Sequence, residues 1–294
     1  MPSSTTALFF ALQILTTAFL LSRAPSKMNT SPQSKQWADS PCPLIRTPQF
    51  KSKKIDIFTV GATHMSHIHN AILRGYNSIY HQAPLISHED KNDFIGYCLT
   101  WSKFVQSHHD SEEGQLFPAI EDALGRNDLF EEAHREHEAF LPGLERFGEY
   151  LGTLGEPYDF DGGELVRIME TFQQSFCHHF HHEIEIIAAF ADLPGASKAE
   201  NAAAVFKAWG KKTVSQAGTT DVVPFFLLNH DVTFEEGMWA SWPPMPAPVR
   251  WGLVNLAGAW HWAWWKFASC DASGHPRDLW ALTQPKRPER GARS

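Results

Sequence analysis

Phe104-Val105-Gln106-Ser107-His108-His109-Asp110-Ser111-Glu112, running on through Glu113 to Leu116, can be laid over Ser175-Phe176-Cys177-His178-His179-Phe180-His181-His182-Glu183, which runs on to Ile187. With His108 on His179, Glu112 falls on Glu183 and Leu116 on Ile187. Each segment therefore carries a His-x-x-x-Glu pair followed, four residues later, by an aliphatic side chain. Positions i and i+4 share a helix face, so each segment offers an imidazole and a carboxylate pointing the same way. Two such helices facing each other can hold a pair of metal ions.

The surrounding pattern is helical. A first helix is expected over about 55–81, with Ile68, Ile72, Leu73, Tyr76, Ile79 and Tyr80 at i, i+3 and i+4 spacings. A second, about 89–116, puts Phe94, Cys98, Trp101, Phe104 and Val105 on one face. Pro118 breaks or kinks it, and Gly125 suits a C-terminal cap. The third, about 128–151, is expected to be interrupted at Pro142-Gly143, and the fourth covers about 163–190. Long helices joined by short loops describe an all-α, antiparallel four-helix bundle spanning 55–192. No strand-like alternation of any length competes with it.

Residues 1–54 read as a signal-like or disordered leader. Residues 1–22 carry no charge, and Ala7 to Leu21 is mostly apolar, which is short for a membrane span but fits a signal-peptide core. A basic n-region is missing, and Met28 is an alternative start. The first choice makes the chain secretory or membrane-anchored, the second cytoplasmic. Residues 25–54, rich in Pro, Ser, Thr and Lys, read as largely unstructured. Residues 193–294 read as an extension packing on the bundle. It consists of an Ala-rich helix over about 197–214, then a tail with Trp251, Trp260, Trp262, Trp264 and Trp265. That tail is read as packing its indoles on the bundle rather than as a membrane-interface belt.

With 25 basic and 33 acidic residues the chain has a formal charge of −8, which argues against a nucleic-acid partner. Its 43% apolar content is that of a globular protein with ample core. The four cysteines form no Cys-x-x-Cys pair, which excludes a zinc ribbon or a thioredoxin-like motif. Cys98 and Cys177 fall inside apolar helical patterns and read as buried thiols.

The count of 16 histidines matters only through position. The first helix carries His64, His67 and His69, and the third carries His134 and His137, so every helix of the bundle supplies at least one imidazole. Most of the rest take bland readings. His64, His67, His81, His88, His178 and His182 read as ordinary core or surface residues. His109 and His181 read likewise, with support of a neighbouring ligand as the alternative. Of the acidic pair Glu112-Glu113 only Glu112 is promoted, Glu113 reading as part of a solvated face. Asn229-His230-Asp231 reads as a turn or cap.

His69-Asn70, His108-x-x-x-Glu112 leading into Leu116-Phe117-Pro118, Glu136-His137 and His179-x-x-x-Glu183 resemble the hemerythrin-like, or HHE cation-binding, domain in order and spacing. Residues 197–285 resemble, more loosely, the C-terminal extension of some fungal relatives. The resemblance implies two non-haem iron ions inside the bundle, held by His69, His108, Glu112, His137, His179 and Glu183, with the two carboxylates bridging. It also shows a departure. Oxygen-carrying hemerythrins have a further histidine four residues before the helix-three ligand, where this chain has Ala133. Either His134, three residues before His137, substitutes as an additional ligand, or one ion keeps an open position.

The chemistry agrees, since imidazole and carboxylate suit iron in both oxidation states. Burying four His and two Glu with no cation leaves polar groups unpaired, at ~1–3 kcal/mol each. The leading expectation is a metal-binding protein that binds or senses a small diatomic ligand such as oxygen or nitric oxide, or iron itself. A redox enzyme acting on peroxide, oxygen or nitric oxide at the position opened by Ala133 is the second. A structural or interaction bundle holding zinc, or no metal, is the third. No nucleotide-binding Gly-rich loop, Gly-x-Ser-x-Gly elbow or catalytic Cys motif is present.

Overall fold

The computed structural model describes residues 38–194, 196 and 200–285, so the apolar segment Ala7–Leu21 and Met28 lie outside the described residues. Regular structure among the described residues is helical, apart from one isolated bridge between Cys270 and Pro276. A short helix α1 (Pro48–Ser52) precedes the bundle helices α2 (Ile57–Gln82) and α3 (Lys91–Ser111). A π turn, Glu112–Leu116, links α3 to α4 (Phe117–Leu124). The bundle is completed by α5 (Glu131–Gly152) and α6 (Gly162–Ala189). The fold is all-α, as expected.

Local chemistry sets the boundaries. Asp56 caps α2 by accepting from the Thr59 N–H at 2.9 Å, and Asp161 caps α6 by accepting from Gly163 and Glu164. Gly125, at φ +64°, ends α4 in the left-handed conformation that a glycine adopts without steric cost. Pro118 neither breaks nor ends the chain's helical course. The π turn just before it absorbs the missing N–H, and the Phe117 N–H reaches back to the Glu112 carbonyl. The expected interruption at Pro142-Gly143 is also absent, because α5 runs through both residues. One lost hydrogen bond is outweighed by the burial of Phe140, Leu144 and Phe147, with Phe140 against Phe176 and Phe180 of α6 and Phe147 against Trp101 of α3. Gly143 permits that approach, since a Cβ there would stand 2.4 Å from Phe172 Cβ. Trp101, Tyr76, Phe147 and Phe176 fill one end of the core.

Residues 38–54, expected to be unstructured, are held against the bundle. Asn77 of α2 accepts from the Cys42 N–H and donates to the Ala38 and Cys42 carbonyls. Asn70, two turns earlier, does the same for the N–H and carbonyl of Ile45. The backbone of this segment thus finds partners in two side chains spaced i, i+7 on α2. Cys177 is not a free thiol: it forms a disulfide with Cys42, leaving Cys98 and Cys270 reduced and buried. An apolar helical setting says nothing about a partner 135 residues away, so the sequence pattern could not reveal the bond.

After α6 come α7 (Glu200–Ala217), α8 (Val222–Leu227), α9 (Ala247–Gly252) and α10 (Trp280–Thr283). Phe206 of α7 lies against Gly61, and Phe225 of α8 lies against Gly75 and the Tyr97 ring. The tail divides the tryptophans. Trp265 is buried and Trp264 packs on Gly96, whereas Trp260 and Trp262 are 84% and 74% exposed, so the expected packing holds for only part of them. No described helix is long and apolar enough to cross a membrane.

Candidate metal centre

Four helices each turn inward a side chain from the expected set: His69 from α2, His108 from α3, His137 from α5, and His179 with Glu183 from α6. Glu112 opens the π turn after α3. All six are 2% exposed or less. The structure brings them together. His69 Nε2 lies 3.0 Å from His108 Nε2, and His137 Nε2 lies 3.0 Å from His179 Nε2. Glu112 stands between the two imidazole pairs, Oε1 at 2.9 Å from His108 and Oε2 at 3.8 Å from His137. Glu183 does so from the opposite helix, with Oε2 3.3 Å from His69 Nε2 and 3.6 Å from His179 Nε2.

Fixed acceptors decide which ring nitrogen carries a proton. His69 donates from Nδ1 to the Phe180 carbonyl at 2.8 Å, and His137 from Nδ1 to Glu113 Oε1 at 2.6 Å. His179 donates from Nδ1 to Glu136 Oε2 at 3.2 Å. In the His137–His179 pair, donation from Nδ1 on each ring turns the two Nε2 positions toward each other at 3.0 Å. Such an arrangement is repulsive unless a cation or an added proton lies against both. Burial, reinforced by His179, pushes His137 down to about 4, so an added proton on that ring is disfavoured at neutral pH. Both oxygens of Glu112 and of Glu183 are buried with no polar neighbour other than the ring nitrogens of this cluster, and His108 Nδ1 is buried without a partner. Against the opposing effect of its burial, Glu112 and Glu183 hold His69 up at about 9. The Glu112 carboxyl, despite its burial, is held well below the usual carboxylate range by His108, His69 and His137.

These features fit metal ions. Two nitrogens ~3.0 Å apart leave room for one ion ~2.1 Å from both, and each imidazole pair stands at that separation. His69, His108 and Glu112 form one compact donor group, and Glu112, His137 and His179 a second, with the carboxylate common to both.

His134 takes another place. Its ring is 44% exposed and its Nδ1 is turned to Glu113, 2.8 Å from Oε1. Ala133 is fully buried. Glu113, read as a solvated face, instead holds both His134 and His137, and with Glu136 it is what the sequence reading missed. Each adjoins a promoted residue, Glu112 or His137. Adjacent helical residues point ~100° apart, however, so only tertiary structure could aim their carboxylates at a histidine. His109, placed beside a proposed ligand, packs edge-on against the His137 ring. His230, read as part of a turn, is buried against His67 and Trp242, and burial pushes it down to about 3.

Comparison with known proteins shows the family. The Hemerythrin HHE cation binding domain matches residues 60–191. A relative from Cryptosporiopsis sp. (strain 8999), named dimeric xanthone biosynthesis cluster protein R11, is 30% identical over 259 residues, covering 85% of this chain and 95% of its own. The chain belongs to the hemerythrin HHE cation-binding family. No solved structure matches it significantly. The family binds cations, and the His/Glu groups of this member are arranged to hold them.

Proposed function

We propose that this HHE-family protein binds two non-haem iron ions and uses them to bind or sense a small ligand such as oxygen or nitric oxide. His69 and His108 would hold one ion and His137 and His179 the other, with Glu112 and Glu183 spanning the pair. The observation that carries the reading is the double convergence of Nε2 atoms at 3.0 Å, next to carboxylate oxygens that lack any other donor. A donor set of imidazole nitrogens and carboxylate oxygens without thiolate suits iron in both oxidation states. Bound iron would supply reversible one-electron chemistry and a coordination position for the ligand. The chain's own part is to exclude water from the centre, fix the imidazole tautomers and balance the cationic charge with two carboxylates.

Protein expressed in iron-replete medium is expected to carry close to two iron ions per chain and to absorb in the visible. His137→Ala and Glu183→Gln should each lose iron and colour while keeping the helical circular dichroism of the wild type. A preparation that stays free of iron, or carries only zinc and no colour, overturns the reading.

A second reading has support of its own. Ala133 stands where oxygen carriers have one more histidine, and the 30% identical relative is named for a dimeric xanthone biosynthesis cluster. On this reading the same centre serves a redox enzyme, acting on peroxide or oxygen beside an aromatic substrate. Turnover by iron-loaded protein that disappears in His137→Ala favours it, and ligand binding without turnover favours the first.

A further inference from the structure

His178 and His182 lie one turn apart on α6, with rings stacked at 5.2 Å and 13°. Both converge on a single carboxylate oxygen of α5: Glu136 Oε1 lies 3.1 Å from His178 Nε2 and 2.6 Å from His182 Nδ1. The His178 side chain is 63% exposed and that of His182 31%, so the group opens to solvent. We propose that His178, His182 and Glu136 form a second site, facing solvent, for a first-row divalent cation.

An ordinary surface ion pair would satisfy Glu136 with one histidine. Here two imidazoles on consecutive turns aim their nitrogens at the same oxygen, which places three donors around one point. Histidines at i and i+4 chelate a cation because the helix has already fixed their separation. Two nitrogens and one oxygen select zinc, copper, nickel, cobalt or ferrous ions over calcium and magnesium, which prefer an all-oxygen shell. Solvent access leaves the remaining coordination positions to water. Competition with the buried cluster is avoided because His178 and His179 are adjacent in sequence and point ~100° apart, one outward and one inward. Glu136 is shared, however. Its Oε2 accepts the Nδ1 proton of His179 while its Oε1 faces the outer pair, so a cation at the surface bears directly on the group that orients His179.

The test is zinc binding by the full chain, stripped with chelator, measured by equilibrium dialysis and elemental analysis. His178→Ala and His182→Ala are each expected to bind one zinc ion fewer than wild type. His108→Ala should retain that ion, because His108 belongs only to the buried cluster. Circular dichroism should be unchanged in both outer variants. Equal zinc content in wild type and in the His178→Ala/His182→Ala double variant overturns the proposal. The outcome does not depend on the buried iron reading: loss of zinc in His178→Ala with zinc retained in His108→Ala supports the outer site whether or not the buried cluster carries iron, and the iron content of protein from iron-replete medium tests the buried reading separately.

Discussion

Among the buried imidazoles, the position of one proton per ring separates a ligand from an ordinary core histidine. Glu113 does this for His137, and removing its charge while keeping its shape should leave the ring poorly oriented. Glu113→Gln is expected to weaken iron retention 10–100-fold against a chelator, with stability little changed, as read by iron loss over a chelator series. Metal removal should also expose the titration of His69 and His137. His69, raised to about 9, contributes stability that is complete below its unfolded value of about 6.5 and is lost as pH rises through 9. His137, lowered to about 4, must stay neutral in the folded chain, so stability falls as pH drops from about 6.5 toward 4. The melting temperature of the metal-free protein should therefore peak near pH 6.5, and iron should flatten the alkaline side. A metal-free profile that stays level from pH 6.5 to 9 would contradict the placement of His69 between two carboxylates. At this scale the two His-x-x-x-Glu pairs were legible from spacing, whereas His69 and His137 were singled out from their neighbouring histidines only by the resemblance to the HHE domain. Glu113 and Glu136 were not legible, because their roles depend on which helix lies opposite.

The helices show how a local rule yields to packing. Pro142 removes one hydrogen bond from α5, yet the helix continues because its apolar face is buried against α3 and α6. The glycine beside it, which the sequence suggested as a break, is there for contact instead. Gly143→Val would drive a branched side chain into Phe172, and it should destabilise the protein by about 1–3 kcal/mol, read from the urea midpoint. Because α5 and α6 carry His137 and His179, the same variant should lower iron content. Retention of wild-type stability would mean that the two helices do not meet closely there. The π turn is the opposite case. The helical period ran correctly up to Glu112, but nothing in a hydrophobic repeat announces a five-residue turn that widens the helix where that carboxylate turns inward.

Across the whole described chain, the segment before α2 and the extension after α6 both close on the bundle. Thr47 donates to Glu235 from its backbone N–H and its hydroxyl, joining the two directly. The Cys42–Cys177 bond closes a loop of 135 residues, and Cys42→Ser should cost about 2–5 kcal/mol, seen as a lower melting temperature under non-reducing conditions. Thiol titration of denatured wild type should find two free thiols, Cys98 and Cys270, and four would refute the pairing. The amino-acid sequence by itself determined the helical class, the order of the bundle helices and the two inward-facing His-x-x-x-Glu pairs. All of these follow from periodicities of three to four residues along one chain, while His69 and His137 were picked out by resemblance of their motifs to the HHE domain. Only the tertiary structure decided the disulfide, the anchoring of residues 38–54 by Asn70 and Asn77, the burial of His230 and the carboxylates behind His137 and His179. Each of these joins groups far apart in sequence, and such a meeting is set by how helices pack, which no local period encodes.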